Sequence, residues 1–118
     1  MLLEINGIKI SNGKIYAPFT STTDVKIEWV ADVSKYHTFF IYNITKSTYV
    51  FIEINIPGGL IDHGELLTSS LEFNESNHYV AELWLQPVYI PHRISDNFFE
   101  KNTLIGKLDY IEFFIENK

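Results

Sequence analysis

The chain contains no cysteine. A disulfide framework and a thiolate metal site are therefore both excluded. Basic residues are scarce: nine Lys and Arg stand against fifteen Asp and Glu, for a formal net charge of −6. Proteins hold polyphosphate backbones by neutralising phosphates with Lys and Arg, so no nucleic-acid partner is expected. No apolar run approaches the roughly 20 residues of a membrane-spanning helix, and no membrane span is expected. The start, Met1 to Gly7, has no basic stretch leading into a long apolar one, so no signal peptide is read there. The expected setting is cytoplasmic, meaning the host cytoplasm for a viral chain. The sequons at Asn43 and Asn74 are then chance matches, because acceptor sites matter in secreted chains.

Aromatics are plentiful, with nine Phe and seven Tyr in 118 residues. Such side chains fit a pleated, half-buried surface, and a chain this long has room for one real core. The expectation is a single β-rich domain over residues 1–118. Ile8 to Ile10 is followed by Asn12-Gly13, an Asn-Gly pair of the hairpin sort, with Lys14 to Ala17 continuing beyond it. Asp24 to Val30 alternates strictly, with Val25, Ile27 and Trp29 on one face and Lys26 and Glu28 on the other. His37 to Ile44 and Thr48 to Ile56 are apolar on both faces, which suits the centre of a sheet between two layers. Pro57 to Gly59 ends the second run. Tyr79 to Gln86 carries Tyr79, Ala81, Leu83 and Leu85 on one face, and Leu108 to Ile115 is the last strand. Ser95 is a good N-cap and Asp96 suits a first helical turn, predicting one short helix that Phe98 and Phe99 anchor and Gly106 closes.

Several of these segments, in this order, resemble the phosphatidylethanolamine-binding protein (PEBP) family. Asn55-Ile56-Pro57-Gly58 and the later Gly64 are similar to the family's Asn-Ile-Pro-Gly strand end and turn. Tyr36 to Tyr42 resembles the strand before its Asp-Pro-Asp-x-Pro loop. Tyr79-Val80 with Gln86-Pro87 resembles its His-Arg-Tyr-Val strand, which ends in Gln. Phe98-Phe99-Glu100-Lys101, Leu104 and Phe113-Phe114 resemble its terminal helix, Leu-Gly turn and Phe-Phe strand. Gly13 to Tyr16 and Val25 to Trp29 fit its beginning. The resemblance spans nearly the whole chain, although no single motif is highly specific. It implies an antiparallel β-sandwich of PEBP type with one short C-terminal helix. The Ile-, Asn- and Lys-rich composition of this compact form suits a large DNA virus or an AT-rich bacterium.

The resemblance also implies a small pocket for phosphate or a phospholipid headgroup, and there the match breaks. The first loop reads Tyr42-Asn43-Ile44-Thr45-Lys46, without the family's Asp and Pro. The central-strand His position falls on Val50. The third motif reads Asn77-His78-Tyr79, so either Asn77 or, with a one-residue shift, His78 takes the His place. An anion pocket needs donors or cations to offset stripping water from the anion. The residual lining is Asn43, Asn77, His78, Tyr79 and Pro87. Against that stand plainer roles: Tyr79 in the core, His78 in an exposed loop, and Asn43 in a turn.

Other chemistry is thin. The histidines, His37, His63, His78 and His92, show no ligand spacing, so no metal and no cofactor are expected; His63 and His92 read as loop residues. Thr68, Ser69 and Ser70 lack a G-x-S-x-G elbow, and Asp62 and Glu65 read as solvated turn charges. No catalytic residue is assigned and no enzyme is expected. Between Pro87 and Pro91 lies a segment in which Tyr89, Ile90 and Arg93 either anchor a protein partner or cover an open sheet edge. The expected function is a non-catalytic, PEBP-like regulatory module with a degenerate anion pocket, acting mainly through an unidentified protein partner. The alternatives are a β-sandwich interaction or structural protein without a small ligand, and an enzyme inhibitor inserting the 87–93 segment.

Overall fold

The computed structural model describes residues 3–20, 25–31, 36–57, 60–67, 77–86, 89 and 106–116. Among them run nine strands: β1 (Leu3–Ile5), β2 (Gly13–Lys14), β3 (Phe19–Thr20), β4 (Lys26–Ala31), β5 (Tyr36–Asn43), β6 (Thr48–Pro57), β7 (Leu60–Leu67), β8 (Asn77–Gln86) and β9 (Lys107–Glu116). The fold is mostly β, as expected. One sheet has the order β1-β4-β7; the larger has the order β2-β9-β8-β5-β6, with β3 also pairing β9. Most pairs are antiparallel, but β2 and β3 lie parallel to β9, so the larger sheet is mixed rather than purely antiparallel. The helix expected from Ser95 to Gly106 lies outside the described residues, apart from Gly106 itself.

The alternation read in the sequence sets what is buried. Val25, Ile27 and Trp29 turn inward from the smaller sheet, and Phe39, Ile41, Ala81, Leu83, Ile111 and Phe113 meet them from the larger one in one continuous core. Trp29 and Phe39 join the sheets directly, their rings stacked with centroids 4.0 Å apart. A pair of this kind adds about 0.5–1.5 kcal/mol beyond simple burial. Asp109 ties the sheets by polar bonds. Its buried carboxylate accepts the Leu3 amide at 3.0 Å, the Asn12 amide at 2.9 Å and the Tyr110 amide at 2.9 Å.

Three expectations are corrected. The tight hairpin turn falls at Asn6-Gly7, not at Asn12-Gly13. Ile5 and Ile8 exchange both backbone bonds, at 3.1 and 2.9 Å, around central residues with φ of +50° and +79°. That is the primed geometry Asn-Gly favours. Asn12 is also left-handed at φ +50°, but Gly13 then leads into β2, which pairs with β9 rather than folding back on residues 8–10. Second, residues 60–67 form a strand antiparallel to β4, so His63, Asp62 and Glu65 lie on a strand and not in a turn. Third, β6 is not central. It ends the larger sheet among the described residues, and its register against β5 shifts twice, opposite His37/Phe39 and Ile41/Tyr42. Bulges are a common way to blunt a sheet edge, and here they fall at Val50 and at Ile54-Asn55.

Candidate functional site

The end of the larger sheet near the β5–β6 hairpin gathers four of the predicted positions. Asn43 closes β5 opposite Tyr79 of β8 and Thr48 of β6. Its Oδ1 accepts the Lys46 amide at 3.0 Å, an Asx cap on the turn. Asn77 lies two residues before Tyr79, so the two share a face of β8. Asn43, Asn77 and Tyr79 are all buried, at 5%, 8% and 1% exposure. Tyr79 belongs to the core, its ring stacked on Phe113 with centroids 5.5 Å apart. None of the three side chains brings a cation. Val50 packs half-buried against the core from β6.

His78 turns to the opposite face. Its ring stacks on Phe114 at 4.4 Å and its Nε2 lies 3.1 Å from Glu112 Oε2. It sits in β8 rather than in a loop, and its amide donates to Thr45 Oγ1 at 3.0 Å. The question between Asn77 and His78 is therefore one of face, and Asn77 is the one beside Tyr79. A cleft of about 620 Å³ opens next to this end, with Thr45, Asn77, His78, Phe114, Tyr16 and Pro18 among its lining residues. Neither Asn43 nor Tyr79 lines it. Pro87, Ile90 and Arg93 lie outside the described residues. Tyr89 is 59% exposed, and its ring meets that of Tyr36 edge-on at 5.7 Å.

The outward face of the larger sheet holds a larger hollow, of about 780 Å³. It is built from two cross-strand rows. Phe40, Glu82 and Tyr110 face one another across β5, β8 and β9; Tyr42, Val80 and Glu112 form the next row. Phe40 and Val80 are buried and form the floor. Tyr49, from β6, closes one side, with ring centroids 5.3 Å from Phe40 and 4.9 Å from Tyr42. Ser47 and Thr48 edge the hairpin end, and Lys107 the other.

The charges on this face are arranged around rings. Glu82 Oε1 accepts the Trp84 indole N–H at 2.8 Å and lies 3.3 Å from Lys107 Nζ. Lys107 Nζ in turn stands over the Tyr110 and Trp84 rings at 4.9 and 5.5 Å. Glu112 lies 3.7 Å from Lys14 Nζ, and Lys14 stands over Phe114 and Tyr16 at 5.2 and 5.6 Å. Sequence reasoning missed this face. Tyr110, Glu112 and Phe114 do alternate with the buried Asp109, Ile111, Phe113 and Ile115, and that was the available signal. The continuous apolar character of β5 and β6 hid the rest.

No protein-family model matches the chain, and a search of curated proteins found no match.

Proposed function

We propose that the chain is a non-catalytic binding module on a PEBP-like β-sandwich, acting through a protein partner, with the family's anion pocket reduced to a remnant. The observation that carries this reading is the contrast between two places on the larger sheet. The three pocket-like positions that come together, Asn43, Asn77 and Tyr79, are buried and neutral. The aromatic hollow on the outward face is open, has a volume of about 780 Å³, and is lined by the tyrosines that interface anchors favour. The PEBP-like reading draws support from one contact: Asn55, of the Asn-Ile-Pro-Gly run, is hydrogen-bonded to Gln86, the Gln that ends β8. The exposed Tyr89 adds a second patch for a partner.

The test is a pair of measurements. A headgroup bound with Kd near 1 mM would stabilise the fold by about 1.4 kcal/mol at about 10 mM ligand. Thermal unfolding with inorganic phosphate or phosphoethanolamine should show no shift beyond that of a chloride control. A clear shift that Asn77→Ala removes would restore the pocket. In parallel, cross-linking capture should lose the same protein with Tyr42→Ala and with Tyr110→Ala. If both variants retain every partner of the wild type, the sheet face has no role in binding.

A further inference from the structure

We infer that the hollow on the outward face takes a proline-rich segment of a protein partner in the polyproline II conformation, with prolines three residues apart set against Tyr42 and Tyr49 on one side and Tyr110 on the other. This rests on the partner-binding reading and names the chemistry of the partner. The first argument is charge. Glu82 is paired with Lys107, and Glu112 with Lys14, so the charges on and beside the hollow cancel. A surface balanced in this way draws neither a basic nor an acidic segment. The partner segment that fits it is uncharged.

The second argument is hydrogen bonding. The two carboxylates are the strongest acceptors on this face, and both are in use. Glu82 Oε1 accepts the Trp84 indole N–H and pairs with Lys107; Glu112 Oε2 is shared by Lys14 and His78. The other side-chain polar groups of the lining, apart from the Lys107 ammonium, are hydroxyls, those of Tyr42, Ser47, Thr48, Tyr49 and Tyr110, and each can donate. The hollow is therefore better supplied with donors than with acceptors. An ordinary extended strand brings as many N–H groups as carbonyls. A run of prolines brings carbonyls and no N–H, and its polyproline II backbone makes no internal hydrogen bonds. Its carbonyls match the hydroxyls, and it buries no donor of its own.

The third argument is the rings and their spacing. Tyr49 stands steeply to Phe40 and Tyr42, at interplanar angles of 84° and 68°. Rings held edge to face are in place before a ligand arrives, so docking orders little that is not already ordered. Proline rings pack on such aromatic surfaces in the known proline-binding grooves. Tyr42 lies on β5 and Tyr110 on β9, on either side of β8, whose buried Val80 forms part of the floor. Two strand spacings separate β5 from β9, about 9.6 Å. Three residues of polyproline II rise about 9.3 Å. A segment crossing β8 thus sets prolines at i and i+3 against the two tyrosine walls.

The test adds four probes to the full chain and follows its amide NMR spectrum: capped deca-L-proline, capped deca-D-proline, a capped Gly-Ser repeat of equal length, and maltoheptaose. Deca-L-proline should shift the amides of Val80, Glu82 and Tyr110, with an affinity that added salt leaves unchanged. Tyr42→Ala and Tyr110→Ala should each weaken it about tenfold. Tyr110→Phe, which keeps the ring and removes only the hydroxyl, should weaken it about threefold. Equal binding of deca-D-proline or of the Gly-Ser repeat would overturn the polyproline II assignment. Maltoheptaose shifting these amides where deca-L-proline does not would give the hollow to a neutral sugar and overturn the peptide. Deca-L-proline shifts confined to Thr45, Asn77 and Phe114 would overturn the assignment of this hollow. Failure of deca-L-proline, with the capture experiment still sensitive to Tyr42→Ala, would overturn the proline chemistry alone; failure of both would overturn the partner-binding reading with it.

Discussion

Gln86 and Asn55 are bonded in both directions: the Gln86 Nε2 donates to Asn55 Oδ1, and Gln86 Oε1 accepts the Asn55 amide at 2.8 Å. The same Oε1 accepts the Thr38 hydroxyl at 2.8 Å. Asn55 stands at φ +58° inside β6, where the strand bulges and its ladder with β5 is interrupted. The Gln86 side chain, fully buried, thus replaces ladder bonds that the bulge removes. Gln86→Met keeps the volume and deletes the acceptor for both donors. A buried donor that loses its acceptor costs about 1–3 kcal/mol, so the loss for the two should be about 2–6 kcal/mol, a large share of a typical domain stability of about 5–15 kcal/mol. The urea midpoint measures it. An unchanged midpoint would mean that the bulge does not depend on Gln86.

Asp109 fixes the first strand by a different means. Oδ2 accepts the Leu3 amide, and Oδ1 accepts the Asn12 and Tyr110 amides and the Ser11 hydroxyl, the last at 3.4 Å. Asp109→Asn keeps the shape but turns one oxygen into a donor facing donors. Bonds to a charged acceptor contribute about 1.5–3 kcal/mol each, and at least one must be lost. Hydrogen exchange should rise first at Leu3 to Ile5 and at Asn12, ahead of β8. Uniform acceleration across all strands would mean that the carboxylate supports the whole fold rather than this attachment.

The strands that alternate or run long were legible in the sequence because burial on one side writes a period of two. Ile27 and Trp29, Tyr79 through Leu83, and Ile111 through Ile115 all point where their spacing says. Residues 60–67 were not legible as a strand: Asp62, His63, Gly64 and Glu65 interrupt any apolar pattern, and what holds them is pairing with β4, a long-range term. The edge position of β6 was hidden because Tyr49 and Phe51, each half-buried, pack against neighbours on opposite faces, with no further strand beyond β6 among the described residues. The site was legible in part. Asn43, Asn77 and Tyr79 do converge, but the hollow comprises residues from four strands whose adjacency no local pattern encodes.

Gly7 and Gly13 separate two reasons for glycine. Gly7 has φ +79° with nothing within 4 Å of where a Cβ would stand. Gly7→Ala therefore pays only for backbone handedness, about 1–2 kcal/mol. At Gly13 a Cβ would run into the Ile10 side chain, and no left-handed φ is involved. Gly13→Ala should be destabilising in a way that Ile10→Ala relieves, so that the double variant is more stable than the sum of the two single changes. Ile10→Ala should add to Gly7→Ala without coupling. Strict additivity at Gly13 in a double-mutant cycle would refute the steric account.

His37 and Trp29 give a final test through fluorescence. The Trp29 indole donates to His37 Nε2 at 3.2 Å, which makes that nitrogen an acceptor and places the ring proton of neutral His37 on Nδ1. Both side chains are buried in the layer between the sheets, whereas Trp84 is half-buried on the outward face. Acrylamide should therefore quench the two tryptophans unequally, with Trp84 the accessible one, and Trp84→Phe should leave a blue-shifted, protected emission. His37→Leu removes the indole's acceptor in a buried place, at a cost of about 1–3 kcal/mol. It should also red-shift or broaden the Trp29 band as the indole seeks another partner. His37→Gln, which can present an oxygen near the same point, should recover part of both. If His37→Leu and His37→Gln are equally stable and equally blue, then packing against Phe39, and not the hydrogen bond, holds Trp29 in place.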